Sequence, residues 1–128
     1  MMFTHIMLGS SDTERSRTFY DATMGALGHA PSAAPEGAPR HFYGGFGSGA
    51  LGIGTPANGE ATFANGGTIG LVGKDKDMVD AWYAAGLANG GTCEGPAGPR
   101  PNAPGNSYGA YLRDPDGNKL CAFCQIPG

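Results

Sequence analysis

The chain contains an internal repeat, which limits the folds it can adopt more than any other feature of the sequence. A shift of 63 positions aligns residues 5–28 with residues 68–91 without a gap, and six of the 24 aligned pairs are identical. This identity is weak evidence in a chain with 24 glycines, but both segments carry the same order of structural signals. Repeated supersecondary units bury a continuous core by packing together, so the sequence predicts two copies of one unit.

Each copy begins with a short apolar segment that predicts a β-strand. Because side chains alternate between the two faces of a strand, Ile6 and Leu8 share one face and His5 points to the other. The apolar face is expected to pack against a helix. The equivalent residues of the second copy are Ile69, Leu71 and Thr68.

A helix is predicted after each strand. Ser11 and Glu14 have the spacing of a capping box, and Asp75 or Asp77 can serve as the N-cap of the second helix. Aromatic pairs at equivalent places in the two helices predict packing against a sheet. These pairs are Phe19–Tyr20 and Trp82–Tyr83. The glycines predicted at the helix ends, where a left-handed conformation is favoured, are Gly28, Gly90 and Gly91.

Further strands follow each helix. Proline is excluded from central strands, so the Pro/Gly-rich segments 28–40 and 91–106 predict edge strands or loops. The sequence DPDGN at residues 114–118 predicts a tight turn, because proline presets φ and glycine accepts a positive φ. In the first half, residues 43–46 are expected to open a pair of strands and residues 51–54 to form the last strand. In the second half, the equivalent segments are 108–111 and 120–123.

The length of 128 residues allows one domain with one sizeable core. The two copies must therefore share that core. We expect a single domain spanning residues 1–128, made of a first module (1–57), a linker (58–65) and a second module (66–128).

Composition excludes several classes of protein. A formal net charge of −3 gives no basic surface for nucleic acid. The amino-terminal residues have neither the basic region of a signal peptide nor the apolar length of a membrane span, so we expect a cytoplasmic protein without a membrane partner. Three cysteines, an odd number, fit free thiols better than a disulfide framework.

Two segments resemble a known superfamily. Residues 108–120, YGAYLRDPDGNKL, are similar to the hairpin before the final strand of glyoxalase, bleomycin-resistance and extradiol-dioxygenase proteins, and residues 5–28 are similar to their first strand and helix. With the second copy of that unit, the resemblance to this vicinal oxygen chelate superfamily covers nearly the whole chain. It implies an α+β fold of two tandem β-α-β-β-β modules, which form a cup-shaped mixed sheet with the helices outside.

The resemblance also implies where a metal ion would bind. In the superfamily, ligands to a divalent ion come from the first and last strands of each module, at the positions that correspond here to His5, Gly52, Thr68 and Cys121. Among these His5 is the one usual ligand, since glycine has no side chain and a threonine hydroxyl is a poor ligand. We therefore expect no cofactor, and the alternative is one divalent metal ion with His5 as a weak ligand.

His5 and Cys121 are the candidate catalytic residues. His5 is either a base or ligand, or a hydrogen-bonded histidine that lines a pocket. Cys121 is either a nucleophile or a small apolar residue in the cup. Cys121 and Cys124 also form a CxxC motif, but residues three apart on a strand point to opposite faces, so a redox pair is not predicted.

Other residues are candidates for binding a substrate. Aromatic side chains on the strands can stack on an organic ligand, and an arginine can bind a carboxylate or phosphate with two hydrogen bonds. By their place in the sequence, Arg40, His41, Arg100 and Asn102 are expected near the part of the fold where the cup opens in related proteins. The alternative interpretation is that they form a solvated rim. The candidate substrate-binding residues are Tyr43, Thr68, Arg100, Asn102 and Tyr108.

The leading hypothesis is a metal-independent member of the superfamily that binds a small organic molecule in the cup. One alternative is a divalent-metal-dependent enzyme, either a glyoxalase I-like lyase or a ring-cleaving dioxygenase. Another is a non-catalytic structural or partner-binding module, because the fold alone does not fix the function. The resemblance further implies a homodimer.

Overall fold

The computed structural model describes residues 2–45 and 47–127, and these residues form the predicted α+β fold. The first half has a strand, a helix and two strands, and the second half has a strand, a helix and three strands. The helices are α1 Thr13–Ala26 and α2 Lys76–Ala88. The strands are β1 His5–Gly9, β2 Arg40–Tyr43, β3 Ala50–Gly54, β4 Ile69–Val72, β5 Thr92–Pro99, β6 Ser107–Arg113 and β7 Lys119–Gln125.

Each half of the chain forms its own sheet. The strand order is β1-β3-β2 in the first sheet and β4-β7-β6-β5 in the second. In both sheets the first strand of the half runs parallel to the last strand of the same half, and the other neighbours are antiparallel. This shared topology confirms that the chain is a repeat of one unit.

The halves differ after the helix. In the second half, residues 92–99 form the edge strand β5, where shifts in register accommodate Pro96. In the first half, residues 28–39 form no strand. Pro31, Pro35 and Pro39 lie in this segment and remove backbone donors that a strand would need. The first module is therefore β-α-β-β within the described residues: of the two alternatives predicted for this segment, an edge strand or a loop, it forms the loop.

The strand β2 also differs from the prediction. We expected Tyr43 to open a strand that includes Phe46, but β2 ends at Tyr43. Gly44 follows with a φ of 73°, a left-handed conformation that interrupts an extended strand. Phe46 lies outside the described residues.

An aspartate caps each helix. The Asp12 side chain accepts a hydrogen bond from the backbone N–H of Arg15 at 3.1 Å, and Asp75 accepts one from Met78 at 2.8 Å. These two N-caps are equivalent residues of the repeat, and of the two alternatives predicted for the second helix, Asp75 is the N-cap and Asp77 is not. The prediction of a capping box with Ser11 was wrong, because Ser11 bonds to Asp116 of the second half instead.

The two helices pack against each other and against the apolar faces of both sheets. Phe19 and Tyr20 of α1 and Trp82 of α2 are fully buried, and Tyr83 of α2 is partly buried against the same cluster, which confirms the predicted packing of the aromatic pairs. Residues from both halves form one hydrophobic cluster. The halves therefore share a core.

The β6–β7 turn, residues 114–118, joins the second half to the first. The Asp116 carboxylate accepts hydrogen bonds from the Ser11 N–H and hydroxyl and from the Ser16 hydroxyl, and it pairs with Arg15 at 3.3 Å. Burial alone would raise the pKa of Asp116, but the Ser11 hydrogen bonds and the Arg15 charge lower it below the ordinary value. Asn118 donates to the Gly9 carbonyl oxygen at 3.1 Å.

Each sheet has one side that faces the helices and one that faces away, which we call its open face. In the first sheet, Ile6 and Leu8 pack with the core, whereas Met7 and Phe42 on the open face are 41% and 40% exposed. In the second sheet, Leu120 and Ala122 are buried beneath α2, and Cys121 and Phe123 alternate with them on the open face. Neither described helix has the length and apolar character needed to cross a membrane.

Candidate functional site

The open face of the first sheet carries His5, Met7, Phe42 and Arg40. The strand register places Met7 opposite Gly52 on β3, and Gly52 opposite Phe42 on β2. His5 lies two residues before Met7 on β1, opposite Ala50, and the Thr4 hydroxyl is 3.0 Å from its Nδ1. No carboxylate belongs to this part of the sheet, because β1, β2 and β3 contain no Asp or Glu.

Gly52 has no room for a side chain in the present arrangement. A Cβ atom placed there would overlap the Met7 sulfur and lie 2.7 Å from the Phe42 ring. Both approaches are far closer than van der Waals contact between such atoms. The two apolar side chains therefore occupy the space into which a residue at position 52 would extend.

The second sheet has the reverse arrangement at the equivalent place. Gly70 on β4 lies opposite Cys121 on β7, and a Cβ at Gly70 would lie 3.5 Å from the Cys121 sulfur. In the first sheet the large residue, Met7, is on the first strand and the glycine is on the last. In the second sheet the glycine is on the first strand. In each sheet, one residue of this cross-strand pair is a glycine, so only the other residue, Met7 or Cys121, carries a side chain.

Cys121 and Cys124 point to opposite sides of β7, as the strand spacing predicts. Cys121 is 8% exposed on the open face, and Cys124 packs with the hydrophobic cluster on the helix side. Burial raises the pKa of the Cys121 thiol, although the nearby Lys119 charge lowers it somewhat. Since the thiolate is the nucleophilic form, this environment opposes a role for Cys121 as a nucleophile. Cys93, Cys121 and Cys124 are all free thiols.

A cluster of cationic and aromatic side chains lies on the open face of the second sheet, and it was not recognised from the sequence. Arg100 and Lys119 lie 5.7 Å and 5.3 Å from the centre of the Tyr111 ring. Tyr111 and Phe123 meet edge to face, with ring centres 5.7 Å apart and planes at 83°. The sequence does contain a signal for this cluster. Because side chains alternate along the two strands that flank the predicted turn, Tyr111, Lys119 and Phe123 fall on one face.

Arg100 is the one predicted substrate-binding residue that the structure places in this cluster. Its terminal nitrogens donate to the carbonyl oxygens of Pro96, Gly98 and Pro99, which holds the guanidinium over the sheet. Asn102 lies in the exposed β5–β6 loop. Thr68 is exposed and precedes β4.

The two predicted tyrosines lie on the helix side of their sheets. Tyr43 is 1% exposed and donates to Asp21 of α1 at 2.7 Å, and Tyr108 is 6% exposed and donates to Asp80 of α2 at 2.5 Å. Burial, followed by the hydrogen bond to Asp21, raises the pKa of Tyr43 well above its ordinary value. The hydrogen bond to Asp80, with burial, raises the pKa of Tyr108 to about 12. Both phenols therefore join a strand to a helix as neutral donors.

Tyr43 also lines an apolar groove of about 390 Å³ between the two halves. The groove runs between β1 and β3 of the first sheet and β4 of the second. Its apolar lining includes Ile6, Tyr43, Leu51, Ile69 and Leu71.

His41 is not on the rim where its sequence position suggested. The imidazole is fully buried, with Nδ1 2.6 Å from the Ser32 hydroxyl and Nε2 3.4 Å from a Glu14 carboxylate oxygen. The alternation of β2 places His41 on the helix side with Tyr43, and leaves Arg40 and Phe42 on the open face. His41 is therefore a residue of the core.

Comparison with known proteins identifies the family. The model of the Glyoxalase/Bleomycin resistance protein/Dioxygenase superfamily matches residues 2–122. The chain belongs to this superfamily. A comparison with curated proteins found no match.

Solved structures of the glyoxalase superfamily have the same fold. A glyoxalase/bleomycin resistance protein from Albidiferax ferrireducens T118 is 50% identical, with 96% of this chain and 98% of that chain covered and a TM-score of 0.88. A glyoxalase-related enzyme from Fulvimarina pelagi is 22% identical, with 96% and 87% covered and a TM-score of 0.73. Lactoylglutathione lyase from Agrobacterium tumefaciens is 21% identical, with 94% and 91% covered and a TM-score of 0.63. The last two comparisons show the fold alone.

The four positions that would ligate a metal in the glyoxalase superfamily do not fit such an ion here. Gly52 provides no donor atom and lies beneath Met7 and Phe42. Among residues 2–45 and 47–127, no group of three or more His, Cys, Asp or Glu side chains is arranged to hold a metal ion. Of four among the best-formed cavities of the described surface, Thr68 lines one, and His5, Gly52 and Cys121 line none of the four. The four positions therefore do not share any one of these cavities.

Proposed function

We propose that this glyoxalase-superfamily protein binds a small organic molecule on the open faces of its sheets, without the divalent metal ion that related enzymes use. The packing at Gly52 carries this proposal. Met7 and Phe42 occupy the space where a ligating carboxylate would extend, so the position supports apolar contact with an organic molecule and opposes ion binding.

The second sheet supports the same conclusion. Cys121 takes the ligand position on β7, where a buried thiol with a raised pKa disfavours the thiolate that a metal requires. Its neighbours on the open face are the rings of Tyr111 and Phe123. Aromatic and apolar lining with a few polar groups is typical of sites for small organic ligands.

We expect the purified protein to contain less than one equivalent of any divalent metal per chain. Elemental analysis of protein prepared without chelator measures this content. Adding Zn²⁺, Ni²⁺ or Mn²⁺ should leave the melting temperature unchanged, because a ligand that binds the folded state would raise it. The His5→Ala variant is the matched control and should have the same metal content as the wild type. One ion per chain that disappears in His5→Ala would contradict the proposal.

We also propose that two chains associate through the open faces and enclose the ligand between them. Val72 on the edge strand β4 is 83% exposed, and Met7 and Phe42 are about two-fifths exposed. Large apolar side chains exposed on a sheet are typical of interaction surfaces, and symmetric dimers are the commonest oligomers.

Light scattering should therefore give a mass of twice the 13.0 kDa of one chain. The Val72→Asp variant places a charge on the proposed interface and should shift the protein toward the monomer. Leu87→Asp is the control, because Leu87 is 43% exposed on α2, away from the open faces. A wild-type monomer, or a dimer that Val72→Asp leaves intact, would exclude this interface.

A further inference from the structure

We propose that the open face of the second sheet selects a planar organic anion, an aromatic carboxylate, over its neutral analogue. This inference rests on the proposed function, since it names the chemical class of the small molecule. It depends on the charge of the face, on the donors that the fold leaves available, and on the shape of the aromatic surface.

The face is cationic within an acidic protein. The whole chain has a formal net charge of −3, yet the basic residues Arg100, Arg113 and Lys119 lie on or beside this sheet. Within the strands β4, β5, β6 and β7 themselves, Glu94 is the one acidic residue, and it pairs with Arg113. Arg100 and Lys119 therefore retain a local excess of positive charge that attracts an anion and repels a cation.

Several hydrogen-bond donors of this face remain available. Among the described residues, the Lys119 ammonium and the Tyr111 hydroxyl have no hydrogen-bond partner, and Lys119 forms no ion pair. The bonds from Arg100 to three carbonyl oxygens use its terminal nitrogens and leave its Nε–H without a described partner. A carboxylate accepts charge-assisted hydrogen bonds from such groups, whereas a neutral amide lacks the ionic attraction.

The surface beside the donors carries two partly exposed aromatic rings, those of Tyr111 and Phe123. Lys119, Cys121 and Phe123 alternate along β7, so Cys121 lies between the ammonium group and the phenyl ring. Gly70 on the neighbouring strand is exposed and adds no side chain above Cys121. Cys121 itself is 8% exposed, so a ligand ring would lie on the partly exposed rings of Tyr111 and Phe123, with its carboxylate toward Lys119.

The experiment compares 2-naphthoate with 2-naphthamide, two probes that share a ring system and differ in charge. Isothermal titration of the wild-type chain should give at least about tenfold tighter binding for 2-naphthoate, the size expected for one hydrogen bond to a charged group. Raising the salt concentration should weaken this preference, because exposed charges are screened.

Two lysine variants locate the site. Lys119→Met keeps most of the aliphatic stem and removes the charge, so it should abolish most of the preference for 2-naphthoate. Lys74→Met is the matched control, because Lys74 is exposed in the β4–α2 turn, and it should bind as the wild type does. The melting temperature of each variant shows whether it is folded, and Tyr111→Phe, which keeps the ring and removes one donor, provides a second test.

The outcomes separate this inference from the function on which it rests. Equal affinity of the wild type for both probes would overturn the inference and leave the binding of small organic molecules intact. A preference for 2-naphthoate that persists in both Lys119→Met and Tyr111→Phe would overturn the proposed location. Absence of binding by either probe would count against both proposals.

Discussion

Replacing Asp114 with alanine should lower the free energy of unfolding by about 3 kcal/mol or more. Asp114 is 3% exposed in the β6–β7 turn. Its carboxyl group accepts hydrogen bonds from the Tyr20 hydroxyl at 2.6 Å, from the Asn118 side chain at 2.9 Å, and from the backbone N–H groups of Asp116 and Asn118 at 2.9 Å. Alanine would leave several buried donors without partners, and each would pay a desolvation cost.

The substitution should also weaken the contact between the two halves of the chain. Tyr20 belongs to α1, so its bond to Asp114 joins the first module to the turn of the second. Burial, followed by the Asp114 charge, raises the pKa of Tyr20 well above its ordinary value, and the phenol remains a donor. Tyr20→Phe removes this one bond and should cost about 1 to 1.5 kcal/mol.

Urea denaturation of the two single variants and the double variant measures these energies and their coupling. Asp77→Ala is the control, since Asp77 is exposed in the first turn of α2 and should contribute no more than about 0.5 kcal/mol through the helix dipole. A loss below about 1 kcal/mol for Asp114→Ala would show that the turn does not clamp the halves.

This turn shows how far the sequence determined the fold. The DPDGN motif predicted a reverse turn from the local preferences of proline and glycine alone. It did not predict that Asp114, Asp116 and Asn118 would bond to Tyr20, Ser11 and Gly9, because those partners are about a hundred residues away. The same contact explains the wrong helix cap. Ser11 and Asp12 are both good N-caps, and the distant Asp116 engages Ser11.

The candidate site was likewise predicted only in part from the sequence. Strand alternation correctly separated Cys121 from Cys124, and it is the reason that His5 and Met7 share an open face. Local pattern could not place Arg100 over Tyr111, since that position depends on the path of β5 and its bulges. Nor could it show that Gly52 lies under two side chains, which requires the pairing of three strands.

Gly91→Ala should destabilise the protein by about 2 to 3 kcal/mol, the cost of forcing an extra group into a packed interior. A Cβ at this position would lie 2.6 Å from the Phe19 ring, 2.9 Å from the Gly86 carbonyl oxygen and 3.0 Å from the Arg113 carbonyl oxygen. Two of these contacts are with backbone atoms, which cannot rotate away. Gly91 also donates its N–H to Gly86 at 2.8 Å, so the chain is held close to the end of α2.

Gly25→Ala is the matched control for this substitution and should have the opposite sign. Gly25 lies in α1, where a Cβ would meet nothing within 4 Å outside the backbone of its own helix, and alanine favours a helix by about 0.5 to 1 kcal/mol over glycine. The melting temperature and the urea midpoint should therefore fall for Gly91→Ala and rise for Gly25→Ala. If Gly91→Ala were as stable as the wild type, the close approach of α2, β6 and Phe19 at this point would be wrong, and with it the packing that joins the two modules.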